Sequence, residues 1–343
     1  ILLGTALGIT VGAIPGLTGA MLIALSLPLT FAMEGNHALA LLVSMYVGSV
    51  SGGLITATLL KMPGTPASVI TTLDGYPMAS SGRPGRALGL GIGASFIGGL
   101  ISWVVLVLLA KPAAEWSTKL SPFDLFSLVL LALVSIAAVS DRHPGGLLRG
   151  VFSALLGCLV AMPGLHPATG EPRLTFGFTE MNDGFKLLPV LIGLFAFNQV
   201  IQDAINQKAS SSSSSYSSSK DDSLFIRFRT WIGQIGNMLR SSFLGTVIGI
   251  LPGIGANVGS TVAYGAARSL SKEPESFGTG CDEGVIASES ANNATVGGAL
   301  IPLISLGIPG SVIDAILLGA FVIHGLQPGP LLFTNHPETV HTI

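Results

Sequence analysis

The chain has 343 residues, of which 49% are hydrophobic and only 10% charged; its mean hydropathy is +0.70 and its formal net charge −2. Soluble domains carry about 25% charged residues, so an ordinary soluble enzyme is excluded, and the net charge gives no sign of a nucleic-acid partner. Cys158 and Cys281 lie far apart with no CxxC and no histidine cluster beside them, which argues against a disulfide framework or a zinc site.

The 45 glycines are spread through apolar runs without a collagen period, a composition suited to close helix packing and broken helices in a bilayer. No charged leader segment is visible. With Ile1 first and no polar tail after Ile343, the sequence reads as a fragment trimmed at both ends.

Ile1–Met33 is apolar but interrupted at Gly8, Gly12, Pro15, Gly16 and Gly19. It is either a kinked helix with a glycine packing face or a discontinuous helix whose unwound middle offers backbone groups to a ligand. Gly35–Asn36 reads as a turn. His37–Met62 is a second apolar segment with Ser44, Gly48 and Ser51 at helical spacing. It ends in Lys61-Met62-Pro63-Gly64-Thr65-Pro66, where two prolines within four residues stop a helix. Ala67–Leu73 starts a new half-helix capped by Thr65 or Ser68, so the stretch resembles a re-entrant hairpin tip. Asp74–Arg86 reads as a polar loop.

Four plainer spans follow as scaffold helices: Ala87–Ala110, Asp124–Val139, Leu148–Met162 and Leu187–Ile201. His143 and His166 fall in loops rich in Pro and Gly, as solvated histidines. Gln202–Ser223, with six serines from Ser210 to Ser215, buries nothing and reads as a flexible linker. Leu224–Leu239 mixes Arg with Phe and Trp and suits an interfacial helix. Phe243–Leu270 is again apolar and broken, at Leu251-Pro252-Gly253-Ile254-Gly255-Ala256-Asn257. After a polar loop to Asp282, the run from Glu283 to Pro309-Gly310 carries Glu289, Asn292 and Asn293 in an otherwise apolar stretch. Ser311–Phe321 follows as a half-helix.

The alternating loops hold nine and four basic residues. The nine include Arg83, Arg86, Arg142, Arg149 and the five around the linker: Lys208, Lys220, Arg227, Arg229 and Arg240. The positive-inside rule places these in the cytoplasm.

The two ends of the chain share a pattern. Gly8-x3-Gly12-x2-Pro15-Gly16 has the spacing of Gly245-x3-Gly249-x2-Pro252-Gly253. Gly52-Gly53 precedes Lys61-Met62-Pro63-Gly64 as Gly297-Gly298 precedes Gly307-Ile308-Pro309-Gly310, with a one-residue gap. The expected organisation is an all-α polytopic membrane protein of two repeat halves with broken helices and re-entrant Pro-Gly hairpins. Residues 1–86 form the first repeat, 87–201 the scaffold helices, 202–240 the serine-rich linker and interfacial helix, and 241–343 a truncated second repeat.

Helix N-termini at the breaks hold anions, and unwound carbonyls and polar side chains hold cations. The candidate substrate-binding residues are Lys61, Pro63, Gly64, Thr65, Ser68, Asn292, Asn293, Pro309, Gly310 and Ser311. The candidate cation-binding residues are Gly16, Thr18, Ser51, Gly253, Gly255, Asn257 and Glu289, for Na⁺ or H⁺. Interhelical hydrogen bonding is the structural alternative for the asparagines, and snorkelling to the interface the alternative for Lys61. No Gly-x-Ser-x-Gly or His-Glu-x-x-His stands in the apolar segments, so catalytic residues, cofactors and an intramembrane enzyme are not expected.

Glu283-Gly284-Val285, Ser288-Glu289-Ser290-Ala291-Asn292-Asn293-Ala294 and Leu306-Gly307-Ile308-Pro309-Gly310-Ser311 together resemble the large membrane subunit of the tripartite tricarboxylate transporters. So do Gly12-Ala13-Ile14-Pro15-Gly16, Lys61-Met62-Pro63-Gly64-Thr65-Pro66, Asp74-Gly75-Tyr76-Pro77 and Leu251-Pro252-Gly253-Ile254-Gly255-Ala256. The resemblance covers most of the chain apart from the serine tract. It implies a multi-pass permease of the bacterial inner membrane for organic carboxylates. Such a permease works with a small membrane subunit and a periplasmic solute-binding protein, and an ion gradient drives it. An ion or solute channel is the alternative, and an oligomer is compatible with either. Family members are longer, which agrees with a chain lacking C-terminal helices.

An inverted duplication puts Ile1 outside the cell. An Ile1→Cys variant of the full-length protein is expected to react with a membrane-impermeant maleimide in intact cells. Labelling only after permeabilisation would place Ile1 in the cytoplasm and rule out the inversion.

Overall fold

The computed structural model describes residues 1–140, 146–166, 170–205, 222–252 and 254–343. The chain is all-α. The first part comprises α1 (Leu2–Gly12), α2 (Gly19–Thr30), α3 (Gly35–Leu60), a 3-10 turn at Pro66–Val69, α4 (Thr71–Ser80) and α5 (Pro84–Ser117). Then come α6 (Pro122–Ser140), α7 (Gly146–Ala161), α8 (Leu187–Leu191), a π-helical turn at Ile192–Phe197 and α9 (Asn198–Ile205). The last part comprises α10 (Phe228–Ile250), α11 (Gly255–Leu270), α12 (Asp282–Leu306), α13 (Val312–Ile323), α14 (Pro330–Asn335) and α15 (Pro337–Thr342). Among the described residues the strands are one antiparallel pair, Gly164–Leu165 with Pro172–Arg173.

α12 is the axis of the molecule. Every residue from Gly284 to Ser305 is buried, and the helix packs against α5, α10 and α11, with α3, α4 and α13 completing its surround. A helix enclosed on all sides need not be amphipathic, which is how α12 carries apolar and polar residues around its whole circumference. α3 and α5 are long and apolar enough to cross a bilayer; α1, α2, α13 and Leu147–Ala161 are shorter apolar helices.

Close packing rests on glycine. A methyl group at Gly8 would lie 2.4 Å from the Met45 carbonyl oxygen, and one at Gly12 would lie 2.3 Å from that of Ser49. At Gly245 it would lie 2.4 Å from the Ala291 carbonyl oxygen, and at Gly249 2.4 Å from that of Thr295. Thus α1 lies on α3, and α10 on α12, backbone against backbone. α5 meets α12 in the same way at Gly98, where a methyl group would lie 2.1 Å from the Ser290 carbonyl oxygen. α3 runs antiparallel to α12: Ser51 meets Asn293 while the earlier Tyr46 meets the later Ser311. α5 runs parallel to α12, from Arg86 at Asp282 to Ser117 at Ser305.

The structure revises several boundaries. Gly35 and Asn36 begin α3 rather than forming a turn. Most of the expected polar loop Asp74–Arg86 is helical: α4 runs to Ser80 and α5 begins at Pro84. Burial of Thr71, Asp74, Gly75, Met78 and Ala79 overrides the weak propensity of Gly75 and Pro77. α5 continues through Lys111-Pro112 to Ser117. The expected interfacial helix and the start of the next apolar segment are one helix, α10, which crosses the position 240/241 boundary. Arg142, His143, Lys208, Lys220, Gly253 and the serine tract lie outside the described residues.

Asp222, at the end of the linker, accepts the backbone N–H groups of Gly85 (2.6 Å) and Arg86 (2.8 Å). It thereby caps α5 and holds the linker end on the same side as Arg83 and Arg86.

Gly249→Val is expected to cost on the order of 1–3 kcal/mol by overpacking and to lower the melting temperature of the purified protein. Gly265→Ala, where a methyl group meets open space, should leave it unchanged or slightly raised.

Candidate functional site

The polar stretch of α12 is tied into three other helices. The Glu289 carboxylate, fully buried, accepts the hydroxyl of Thr71 (α4) and that of Ser95 (α5, 3.0 Å). Asn293 accepts the Ser51 hydroxyl of α3 on its Oδ1 (2.8 Å) and donates through Nδ2 to the Glu289 backbone carbonyl (3.3 Å). No cation pairs with Glu289 among the described residues. Asn293, Ser51, Ser95 and Ser102 are polar residues lining a largely apolar cavity of about 480 Å³ between α3, α5 and α12. A buried carboxylate without a counter-charge is costly to keep ionised. The two hydroxyl donors offset part of that cost.

Asn292 points elsewhere. Helical spacing puts it on one face with Ser288, Thr295 and Ala299. Those neighbours touch Ser260 of α11 (3.2 Å from the Ser288 carbonyl), Gly259 and Gly310. Asn292 is fully buried, and although Glu289 is near, neither of its amide atoms has a hydrogen bond of ordinary geometry.

The two Pro-Gly breaks are built alike. α3 ends at Lys61 and α12 at Gly307, both in the left-handed conformation (φ 56° and 69°). A methyl at Gly64 would lie 2.2 Å from the Gly12 carbonyl oxygen and 2.9 Å from Gly53 Cα. At Gly310 it would lie 3.2 Å from the Gly249 carbonyl oxygen and 3.4 Å from Ala299 Cα. Ser68 Oγ accepts the Thr65 N–H (3.1 Å) and donates to the Thr65 carbonyl (2.8 Å). Ser311 Oγ accepts the Asp314 N–H (3.3 Å) and lies 3.4 Å from the Tyr46 hydroxyl. Around these tips Thr65 Oγ1 and both Asp314 carboxylate oxygens are buried and lack a hydrogen bond of ordinary geometry, although the Ser68 N–H faces the first and Ser311 the second.

The expected residues thus divide. Ser51, Glu289 and Asn293 form one network, and Gly64, Gly310, Thr65, Ser68 and Ser311 build the tips, with Pro63 and Pro309 half-buried or exposed beside them. Lys61 is exposed and turns its ammonium over the Tyr76 ring, 5.4 Å from the centroid. That cation–π contact holds it away from the polar face of α12. Gly16 is left-handed (φ 90°), and Thr18 caps α2 by accepting the Met21 N–H (3.2 Å). Gly255 (φ 71°) opens α11, and the Asn257 carbonyl accepts the Thr261 hydroxyl (2.7 Å).

Sequence inspection passed over Thr71, Ser95, Tyr46, Asp314 and Asp74. Of these only Asp314 left a signal, as an acid inside the apolar run Ser311–Phe321. Asp74 is a structural clamp. It is fully buried; its Oδ1 accepts the N–H groups of Gly278, Gly280 and Cys281, each at 2.9 Å, and its Oδ2 accepts the Tyr264 hydroxyl at 2.8 Å. It thereby fixes the loop that leads into α12. Burial, reinforced by the Asp74 charge, pushes the Cys281 thiol up to about 11, so this N-cap residue of α12 stays protonated at neutral pH.

Apolar helices that break at paired Pro-Gly tips and bury a carboxylate and two asparagines at their centre define an integral membrane protein of the transport class. The whole chain, residues 1–343, matches the model of the tripartite tricarboxylate transporter TctA family; it belongs to that family, which is one of transporters and not of enzymes. It is 33% identical over 340 residues to an uncharacterized 52.8 kDa protein in the TAR-I ttuC' 3' region of Agrobacterium vitis, covering 97% of this chain and 65% of that protein. It is also 44% identical over 93 residues to an uncharacterized protein in the TAR-II ttuC' 3' region of the same organism. That match covers 27% of this chain and 38% of that protein. The chain therefore spans 65% of the length of the first of these relatives. No solved structure matches it.

Asp74→Ala strands three backbone donors and a phenol, and is expected to cost at least about 3 kcal/mol. Tyr264→Phe removes one bond and should cost about 1–2 kcal/mol. Thermal unfolding of the purified variants gives the order.

Proposed function

We propose that the chain is the permease subunit of a secondary active transporter that imports tricarboxylate or related organic carboxylate anions across the bacterial inner membrane. A periplasmic binding protein delivers the anion, a small membrane subunit completes the permease, and a gradient of Na⁺ or H⁺ drives uptake. The family match over the whole chain supports the class; the matched construction of the two tips supports the mechanism.

Met45, Ser49, Gly52, Gly53, Gly64 and Thr65 correspond, at unchanged spacing, to Ala291, Thr295, Gly298, Ala299, Gly310 and Ser311. Met45 and Ala291 meet Gly8 and Gly245, and Ser49, Gly52 and Gly64 meet Gly12 as Thr295, Gly298 and Gly310 meet Gly249. The one-residue gap in the sequence comparison disappears when Gly52 is set against Gly298. Since α3 and α12 are antiparallel, these contacts favour an inverted repeat with re-entrant tips. The broken segments also cross over: α2 packs on α13, and α11 packs on the 3-10 turn of the first tip. In alternating access the two tips close in turn over the bound solutes, the anion being held by backbone N–H groups at a break and by the α12 asparagines.

The test is uptake of labelled citrate into proteoliposomes that hold the full-length permease, its small partner and a cognate binding protein, with and without a Na⁺ gradient. Asn292→Ala and Asn293→Ala are expected to lower initial uptake about tenfold or more, equivalent to about 1.4 kcal/mol, with membrane abundance unchanged. Abundance falling in step with uptake would assign the asparagines to helix packing instead.

A further inference from the structure

Among the differences between the matched tips, two place unlike buried polar groups at equivalent positions on or facing the turns. In the correspondence above, Ser68 of the first tip matches Asp314 of the second, and Asn292 of α12 matches Tyr46 of α3. The first turn itself therefore carries no acid: Thr65 and Ser68 lie on it, with the Asn292 amide on α12 and, bonded to Thr71 just beyond it, the Glu289 carboxylate. The second is acidic: Ser311 and Asp314 on the turn, with the Tyr46 hydroxyl on α3.

Asp314 has no exposed surface. The Ser311 hydroxyl and the N–H groups of Gly310 and Ser311 face its carboxylate, yet neither oxygen has a hydrogen bond of ordinary geometry. Its role in capping α13 runs through its backbone N–H, bonded to Ser311 Oγ, and does not require an acid. The helices packed on α13 supply no positive charge. α2 and α8 contain no ionisable residue, and α3 contributes His37, exposed at its first turn, and Tyr46, which faces Asp314. α12 contributes Asp282, paired with Arg86, Glu283 at the same end, and Glu289, bonded to Thr71 and Ser95. The start of α2 closes the site from the other half: a methyl at Gly19 would lie 2.1 Å from Ser49 Oγ and 3.2 Å from Ile313 Cδ1.

We propose that Asp314, with Ser311 and Tyr46, is the site of the coupling cation, a proton or a sodium ion, while the acid-free turn of the first tip and Asn292 take the carboxylate. A buried acid without a cationic partner takes up positive charge to become neutral. Oxygen ligands from a carboxylate and two hydroxyls suit a hard monovalent ion, and among the described residues no group of three His, Cys, Asp or Glu could hold a divalent or transition metal. Opposite preferences at two equivalent tips give one fold separate places for anion and cation. This inference rests on the transport function proposed above and assigns it a residue.

The test uses the purified full-length permease and the ions themselves. Thermal unfolding is followed in NaCl against choline chloride at equal ionic strength, and at pH 5.5 against pH 7.5. Wild type is expected to melt a few degrees higher with sodium if the ion is Na⁺, or at the lower pH if it is H⁺. Asp314→Asn should fold, melt no lower than ion-free wild type, and lose that response; Ser68→Ala should keep it. A wild-type protein indifferent to both sodium and pH overturns the proposal, as does an Asp314→Asn variant that responds like wild type. In proteoliposomes Asp314→Asn should still exchange citrate for citrate while losing gradient-driven accumulation. If the ion response maps to Asp314 but wild type neither accumulates nor exchanges citrate, it is the carboxylate assignment that fails and the cation site that stands.

Discussion

Everything in this structure follows from the need to satisfy polar groups where no water reaches. α12 brings a carboxylate, two carboxamides and several hydroxyls into the centre of an apolar bundle, and each must find a partner on a neighbouring helix or remain unpaired at a cost of about 1–3 kcal/mol. Short side chains such as Thr71, Ser95 and Ser51 can reach Glu289 and Asn293 only if the helices that carry them come very near. Gly98 and Gly297 make that approach possible between α5 and α12. Close packing and polar satisfaction are one requirement seen from two sides.

The same requirement singles out the places where it is not met. Most buried polar atoms of α12 are paired, whereas those around the tips (Thr65 Oγ1, the Asn292 amide and the Asp314 carboxylate) are not. The Glu289 network, by contrast, is internally bonded and behaves as a strut between α4, α5 and α12.

How much of this was legible depended on the range of the interaction. The all-α class, the tips and the breaks were visible because Pro and Gly act locally and leave their mark in a few consecutive letters. α4 was hidden because Gly75 and Pro77 argue against a helix that burial enforces. Asp74 was invisible for a different reason: the groups it binds lie 190 to 207 residues later in the chain. The direction of Lys61 was not legible because charge alone says nothing about it; a left-handed terminus aims it at Tyr76. Asp314 could have been found, since an acid within an apolar run is a local signal, and it was overlooked beside the more polar α12.

The glycine contacts have a mechanical consequence. Where two helices meet through carbonyl oxygens and α-carbons, no layer of flexible side chains lies between them to absorb a sliding motion. Displacing α1 along α3, or α10 along α12, by less than a full turn would drive backbone into backbone. Each pair is therefore one stiff lever, and the first pair can bend relative to its neighbours at the short segment that follows α1, Ala13–Thr18.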